Sequence, residues 1–184
     1  MKKLLLCLMP AMLLLAGCDK LKDAIDIPIA VNFDAAKQSL AIDSTSVTGD
    51  IVVGVNQFTL DFDSLLTANN VEPENLKKLY VRKATLVLDS GAANMNALGS
   101  FKLSYAVGES PAAGDFAYVG RVETIPQNIT TLDVPVAEID LKSVRNQKTF
   151  NFKAEGNIRE QIPAKMYMHY VINIGMEASV VGKK

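Results

Sequence analysis

The 184-residue sequence has no tryptophan, one histidine and two cysteines, and only 7% of its residues are aromatic. Each scarcity removes a class of function. Few rings and no indole leave little for the flat aromatic platforms on which sugars stack. The single histidine, His169, has no second histidine and no cysteine partner with which to build a zinc site. Both cysteines, Cys7 and Cys18, fall within the first 18 residues, so everything after them lacks a thiol for a disulfide, a nucleophile or a metal. Lysine and arginine form no basic run, which argues against nucleic acid as a partner. No Gly-x-Ser-x-Gly elbow, His-Glu-x-x-His pair or phosphate-cradling glycine loop is present. No catalytic residue, metal ligand or cofactor is expected.

What is present begins at the amino end. Met1-Lys2-Lys3 is a short basic segment, and Leu4 to Ala16 is apolar, interrupted only by Pro10. The stretch is shorter than the roughly 20 residues of a spanning helix. It has the charge, length and small-residue exit of a secretory signal. The exit reads Leu15-Ala16-Gly17-Cys18, and the chain turns polar at Asp19-Lys20. These four residues resemble the lipobox of bacterial lipoproteins. The resemblance covers only the first 18 residues. It implies cleavage by signal peptidase II between Gly17 and Cys18, a diacylglyceryl group on the Cys18 sulfur, and further acylation of the new amino terminus. One acyl chain holds a protein only marginally on a bilayer, whereas two or three make the attachment stable.

The organisation expected from this is a signal peptide over 1–17, a lipidated terminus and short tether over 18–24, and a single domain over 25–184. Loss of Lys2 and Lys3 leaves 17 basic against 20 acidic residues. Roughly 150 residues can bury about two-thirds of the surface of the unfolded chain, enough for a core without staples.

The dominant hydrophobic period is two, that of a strand with one buried face. In residues 167–180, Met168, Tyr170, Ile172, Ile174, Met176, Ala178 and Val180 share one face, and His169 falls on the other. This length predicts a strand that bends or serves two sheets. Ile25, Ile27, Ile29, Val31 and Phe33 alternate in the same way. Within 51–62 the phase changes, and a bulge near Asn56-Gln57 would restore a single buried face. Further strands are predicted over 79–89, 100–107, 117–125 and 148–155, with a weaker pair at 130–141. Short helical turns are predicted at 63–70, with Asp63 as N-cap, and at 72–79, with Pro73 in the first turn. The pattern predicts an all-β fold, an antiparallel β-sandwich of Greek-key or Ig-like order with one or two connecting helical turns. A closed β-barrel is the alternative, because alternation does not report closure. The pattern is similar to that of small β-sandwich lipoproteins of the Bacteroidota.

A few residues invite chemistry. His169 reads as a solvated strand histidine. Asp61, Asp63 and Ser64 resemble a fragment of a calcium loop but lack the glycine and glutamate that complete one. Asp89 and Glu109 could meet as a carboxylate pair of the kind glycosidases use. Asn128-Ile129-Thr130 is an N-glycosylation sequon. Asp43-Ser44-Thr45 and Asp63-Ser64-Leu65 resemble the O-glycosylation motif of the Bacteroidota, which makes Ser44 and Ser64 candidate acceptors.

The functional expectation is a non-enzymatic binding or assembly module, held at a membrane through the Cys18 lipid and serving a protein partner in the envelope. Loops 91–99 and 108–116, or an exposed edge strand, are the expected contact surfaces. A carrier of a lipid or small apolar ligand is the first alternative, motivated by the long apolar faces. A carboxylate-based hydrolase is the second. Asp19 resembles an inner-membrane retention signal of enteric bacteria, and an acidic cluster after the cysteine would resemble a surface-export signal. "DKLKD" matches neither cleanly. The outer membrane is the expected destination, with the periplasmic or surface side left open.

Overall fold

A computed structural model describes residues 27–180. Eight strands and one short helix follow one another: β1 (Ile27–Ile42), β2 (Gly49–Thr59), α1 (Phe62–Ala68), β3 (Leu76–Ser90), β4 (Leu98–Val107), β5 (Ala117–Val122), β6 (Thr131–Val134), β7 (Thr149–Ile158) and β8 (Met166–Val180). They form two four-stranded sheets, ordered β1-β8-β3-β6 and β2-β7-β4-β5, with every pair antiparallel.

That order has a simple origin. Folded once at its middle, the chain pairs β1 with β8, β2 with β7, β3 with β6 and β4 with β5. Rolling this long hairpin then brings β3 against β8 and β4 against β7. The result is a jelly roll, a sandwich of two Greek keys, rather than the Ig order or a closed barrel. The β1 edge is not closed onto β2 by a strand ladder. Asn56 on β2 donates its side-chain amide to the Ser39 carbonyl on β1 at 3.1 Å instead.

The alternation of β8 is realised as predicted. Met168, Tyr170, Ile172, Ile174, Met176 and Ala178 are buried against the opposite sheet, and burial of such side chains is worth roughly 1.5–3 kcal/mol each. β8 does not serve two sheets, however. It lies in one, between β1 and β3, which are as long as it is. The other sheet is shorter, and the inner face left over at one end of the long strands is covered by α1 and its flanking loops. There Phe62 and Leu66 are buried, and Phe62 meets Phe150 edge to face at 5.6 Å. Phe152 of β7 and Tyr170 of β8 face each other from the two sheets at 6.3 Å, so side chains fill the space between the sheets.

Several local expectations are corrected. The bulge in β2 falls between Val52 and Gly54, not at Asn56-Gln57, and it turns Val55 outward to 51% exposure. Gly54 permits it, since a Cβ there would stand 3.0 Å from Leu40 Cδ2. Asp61, not Asp63, caps α1, its side chain accepting from the Ser64 N–H at 3.1 Å. The predicted turn at 72–79 is a three-residue 3-10 turn, Pro73–Asn75, after which the chain is already β3. The predicted positions Ile25 and the side chains of Ile27, Ile29, Val31, Phe33 and Val180 lie outside the described residues.

Candidate functional site

The strand period puts His169 on the outer face of the β1-β8-β3-β6 sheet, in register with Ser39 on β1 and Val87 on β3. Two residues beyond Val87, the register of β3 shifts between Leu88 and Ser90. At that shift lies Asp89, whose Oδ1 is 2.7 Å from Nδ1 of His169. The histidine side chain is only 12% exposed. The expectation of a solvated histidine is therefore corrected: the ring is largely buried, and Asp89 on β3 supplies it with a carboxylate.

Ser39, His169 and Asp89 thus stand in the spatial order of a hydrolytic triad, across three adjacent strands. A carboxylate on Nδ1 does orient an imidazole. Acyl transfer further needs a hydroxyl on the ring and donors aimed at an oxyanion. Among the described residues no hydrogen bond joins Ser39 to His169, and the Ser39 carbonyl is already engaged by Asn56. The pair reads as a cross-strand hydrogen bond.

The carboxylate pair Asp89–Glu109 does not form. β3 ends just after Asp89 at one end of the sandwich, whereas β4 ends, just before Glu109, at the other. The same topology separates the two loops expected to cooperate in recognition. Loop 91–99 joins loops 43–48, 123–130 and 159–165 at the end where β8 begins. Loop 108–116 joins segments 60–75 and 135–148 at the opposite end, beside Ile27 and Val180.

The four loops of the first end are cross-braced. Thr45 and Ile162 exchange two backbone hydrogen bonds of 2.9 Å, and Lys165 pairs with Asp43 at 2.8 Å. Arg159 donates from Nε to the Asn96 carbonyl at 2.7 Å and from Nη1 to the Ile125 carbonyl at 3.2 Å. The Asn128 N–H donates to Asn96 Oδ1 at 2.7 Å, with Asn128 at a φ of 62°. Buried Met95 pins the middle of its loop, its N–H on the Ile129 carbonyl. Sequence reasoning missed Arg159 because its partners are backbone carbonyls far along the chain, which leave no residue-type signal. Asn128, the asparagine of the sequon, also joins this brace through its side chain, whose Oδ1 accepts from the Asn94 and Asn96 amides at 3.4 Å.

Ser44 is exposed in loop 43–48, and Ser64 is exposed on α1 at the other end. Asp61 is held below the ordinary carboxylate range by the Ser64 N–H and then by Lys148, whose Nζ stands 3.2 Å away. Among the described residues no three metal-ligating side chains converge, and no helix is long and apolar enough to cross a membrane. Cys18 and Gly17 lie outside the described residues. Open grooves of about 290–520 Å³ lie on the outer faces, such as one along β3 lined in part by Tyr80, Arg82, Glu138 and Glu177, and one of about 320 Å³ lies at the end of the sandwich beside loop 43–48, over Ile42 and Ile158.

No protein-family model matches the chain, and neither does any curated protein. Among solved structures, the chain is similar to the VP2 subviral particle of infectious bursal disease virus, at 11% identity and a TM-score of 0.35, over 84% of this chain and 33% of that one. It is also similar to Desmodium yellow mottle tymovirus, at 9% identity and a TM-score of 0.27, over 85% and 91% of the two chains. A nora virus structure matches at 12% identity and 0.27. The chain spans about a third of the length of the first of these. The jelly-roll assignment rests on the strand order itself and not on these likenesses.

Proposed function

We propose that the chain is a bacterial envelope lipoprotein, anchored to the outer membrane through a lipid on Cys18, whose jelly-roll domain is a non-enzymatic binding or assembly module for a protein partner. The observation that carries this reading is the Leu15-Ala16-Gly17-Cys18 box, placed directly after a basic start and a 13-residue apolar stretch. The geometry supports it. The strand that follows the tether starts at one end of the sandwich, and a braced cluster of loops occupies the other. A rigid scaffold presenting loops is a common way to bind.

The carrier alternative calls for a cavity between the sheets, where Phe152 and Tyr170 instead fill the space. Nor does the hydrolase alternative gain a facing carboxylate pair at Asp89 and Glu109.

The test is metabolic labelling with palmitate in the native bacterium. The unaltered chain should incorporate label and partition with membranes, and Cys18→Ser should do neither. A Cys18→Ser chain that is still labelled and membrane-bound would overturn the reading. Protease treatment of intact cells then distinguishes the surface from the periplasmic side.

A further inference from the structure

We infer that the outer edge of β2 is a self-pairing edge. Two copies of the chain join there, β2 antiparallel to β2 about a twofold axis at the bulge, and their shorter sheets become one continuous sheet. The inference concerns the folded domain and does not depend on the lipid anchor.

The four edges of the two sheets differ. An edge strand presents unpaired N–H and C=O groups, a template for pairing with another chain, and charge, proline, short length or a covering segment blunts it. β1 carries Pro28, Asp34 and Lys37. β6 has only four residues, Asp133 among them. β5 is covered: the Ala137 N–H donates to the Val119 carbonyl at 2.7 Å, and Gly120 bridges to Val136. β2 has 11 residues, no lysine, arginine or proline and one acid, Asp50, and it pairs with β7 alone. β1 reaches it through the Asn56 side chain and not through a ladder. Among the large apolar side chains left exposed, Val47, Val52 and Val55 lie on β2 or just before it.

The bulge selects the occupant. The exposed residues of β2 are Asp50, Val52, Val55, Gln57 and Thr59. Val52 and Val55 share a face because the register shifts between Val52 and Gly54. A strand laid along this edge must follow the bend that such a bulge imposes. A second β2 does so by symmetry, since a twofold axis at Val53-Gly54 sets bulge against bulge. The exposed faces then match. Val52 of each copy lies opposite Val55 of the other, and Asp50 lies opposite Gln57. Apolar cross-strand pairs are favourable and directly opposed like charges are not; this register has the first and avoids the second. Moving the axis to Val52 would set Asp50 opposite Val55 and put the two bulges out of step. A foreign strand would have to carry the same valine pair about the same bulge, which β2 itself supplies.

Antiparallel pairing sends the two β1 entries to opposite ends of the joined sheet. Eight residues separate Cys18 from Ile27, a reach of at most roughly 30 Å. An anchor at each end is therefore compatible with strands that lie along one bilayer.

The test co-expresses two differently tagged full chains in native cells, one with Val52→Cys and one with Val55→Cys, under mild oxidation. Opposed residues have Cα atoms about 4.5–5.5 Å apart, within disulfide range, whereas Val52 and its own symmetry copy stand about 8 Å apart, beyond it. The expected result is a disulfide-linked dimer carrying both tags, with at least about tenfold less linkage when either variant is expressed alone. Light scattering on the detergent-solubilised chain, with the detergent mass subtracted, should give the mass of two chains, and Val52→Lys should reduce it to one without change in Tm. No linkage between the two variants, equal linkage from either alone, or a mass that is already that of one chain would overturn the inference.

Discussion

His169 on β8 and Asp89 on β3 are joined through Nδ1 and Oδ1 at 2.7 Å, at the register shift that turns Asp89 toward its neighbour strand. The bond ties the two inner strands of its sheet, β8 and β3, to each other near the end where β8 begins. His169→Ala and Asp89→Ala should each lower stability by about 0.5–1.5 kcal/mol. The double variant should show a coupling of at least about 0.5 kcal/mol. Urea unfolding at neutral pH measures both. Strictly additive losses would mean the contact contributes nothing.

Two glycines at positive φ make a paired prediction. Gly91, at 89°, has the Lys165 carbonyl where a Cβ would stand, whereas Gly108, at 99°, faces open space. Gly108→Ala should incur only the cost of backbone strain, about 1–2 kcal/mol. Gly91→Ala should lose clearly more, because the 159–165 loop must shift as well. Equal changes in Tm would contradict the close approach.

Glu155 gives the pH dependence. Burial pushes its carboxyl up, but hydrogen bonds to Lys102 and Lys153, with Nζ atoms at 3.1 and 3.2 Å, pull it below the ordinary 4.5. A carboxyl lowered on folding contributes stability that is present above its unfolded value and lost as pH falls through its folded value. Glu155→Gln should therefore be less stable than the unaltered chain at pH 7, by about 0.5–1 kcal/mol. Below the folded value the two should unfold together. A difference that persists into strong acid would assign the effect to packing.

Tyr170 is buried, and its hydroxyl lies beside Asn56 without a well-formed hydrogen bond among the described residues. Burial pushes the hydroxyl far above the ordinary range for tyrosine, and the neighbouring Asn56 donates to the Ser39 carbonyl. An unmade hydrogen bond costs about 1–3 kcal/mol. Tyr170→Phe should therefore be neutral or stabilising, read as an equal or higher Tm. A clear loss of stability would reveal a partner for the hydroxyl.

Much of this fold was legible because a buried sheet face forces alternation. In β8 every second side chain from Met168 to Ala178 meets the opposite sheet, so period and burial coincide. Where the backbone departs from the ladder, legibility fails. The β2 bulge was visible as a phase change, but its place was set by Gly54 against Leu40, a contact between strands. The cap of α1 is ambiguous in the sequence because both Asp61 and Asp63 have a capping side chain, and only the extended backbone at Asp61 decides. Phe62–Ala68 and the 3-10 turn were legible as elements and not as bounds.

The sequence by itself determined the class of fold, and the proposal that Cys18 carries a lipid likewise rests on the sequence alone. Hydrophobic period and a contiguous motif are local properties, written in neighbouring residues. Only the tertiary structure decided the strand order, the Asp89–His169 bond, and the division of the loops between two ends of the sandwich. Each of these joins residues dozens of positions apart. Rolling a hairpin of eight strands places loop 91–99 beside 123–130 and 159–165, and sets loop 108–116 at the far end. No local pattern encodes that choice, because it depends on which strands find one another when the apolar faces close.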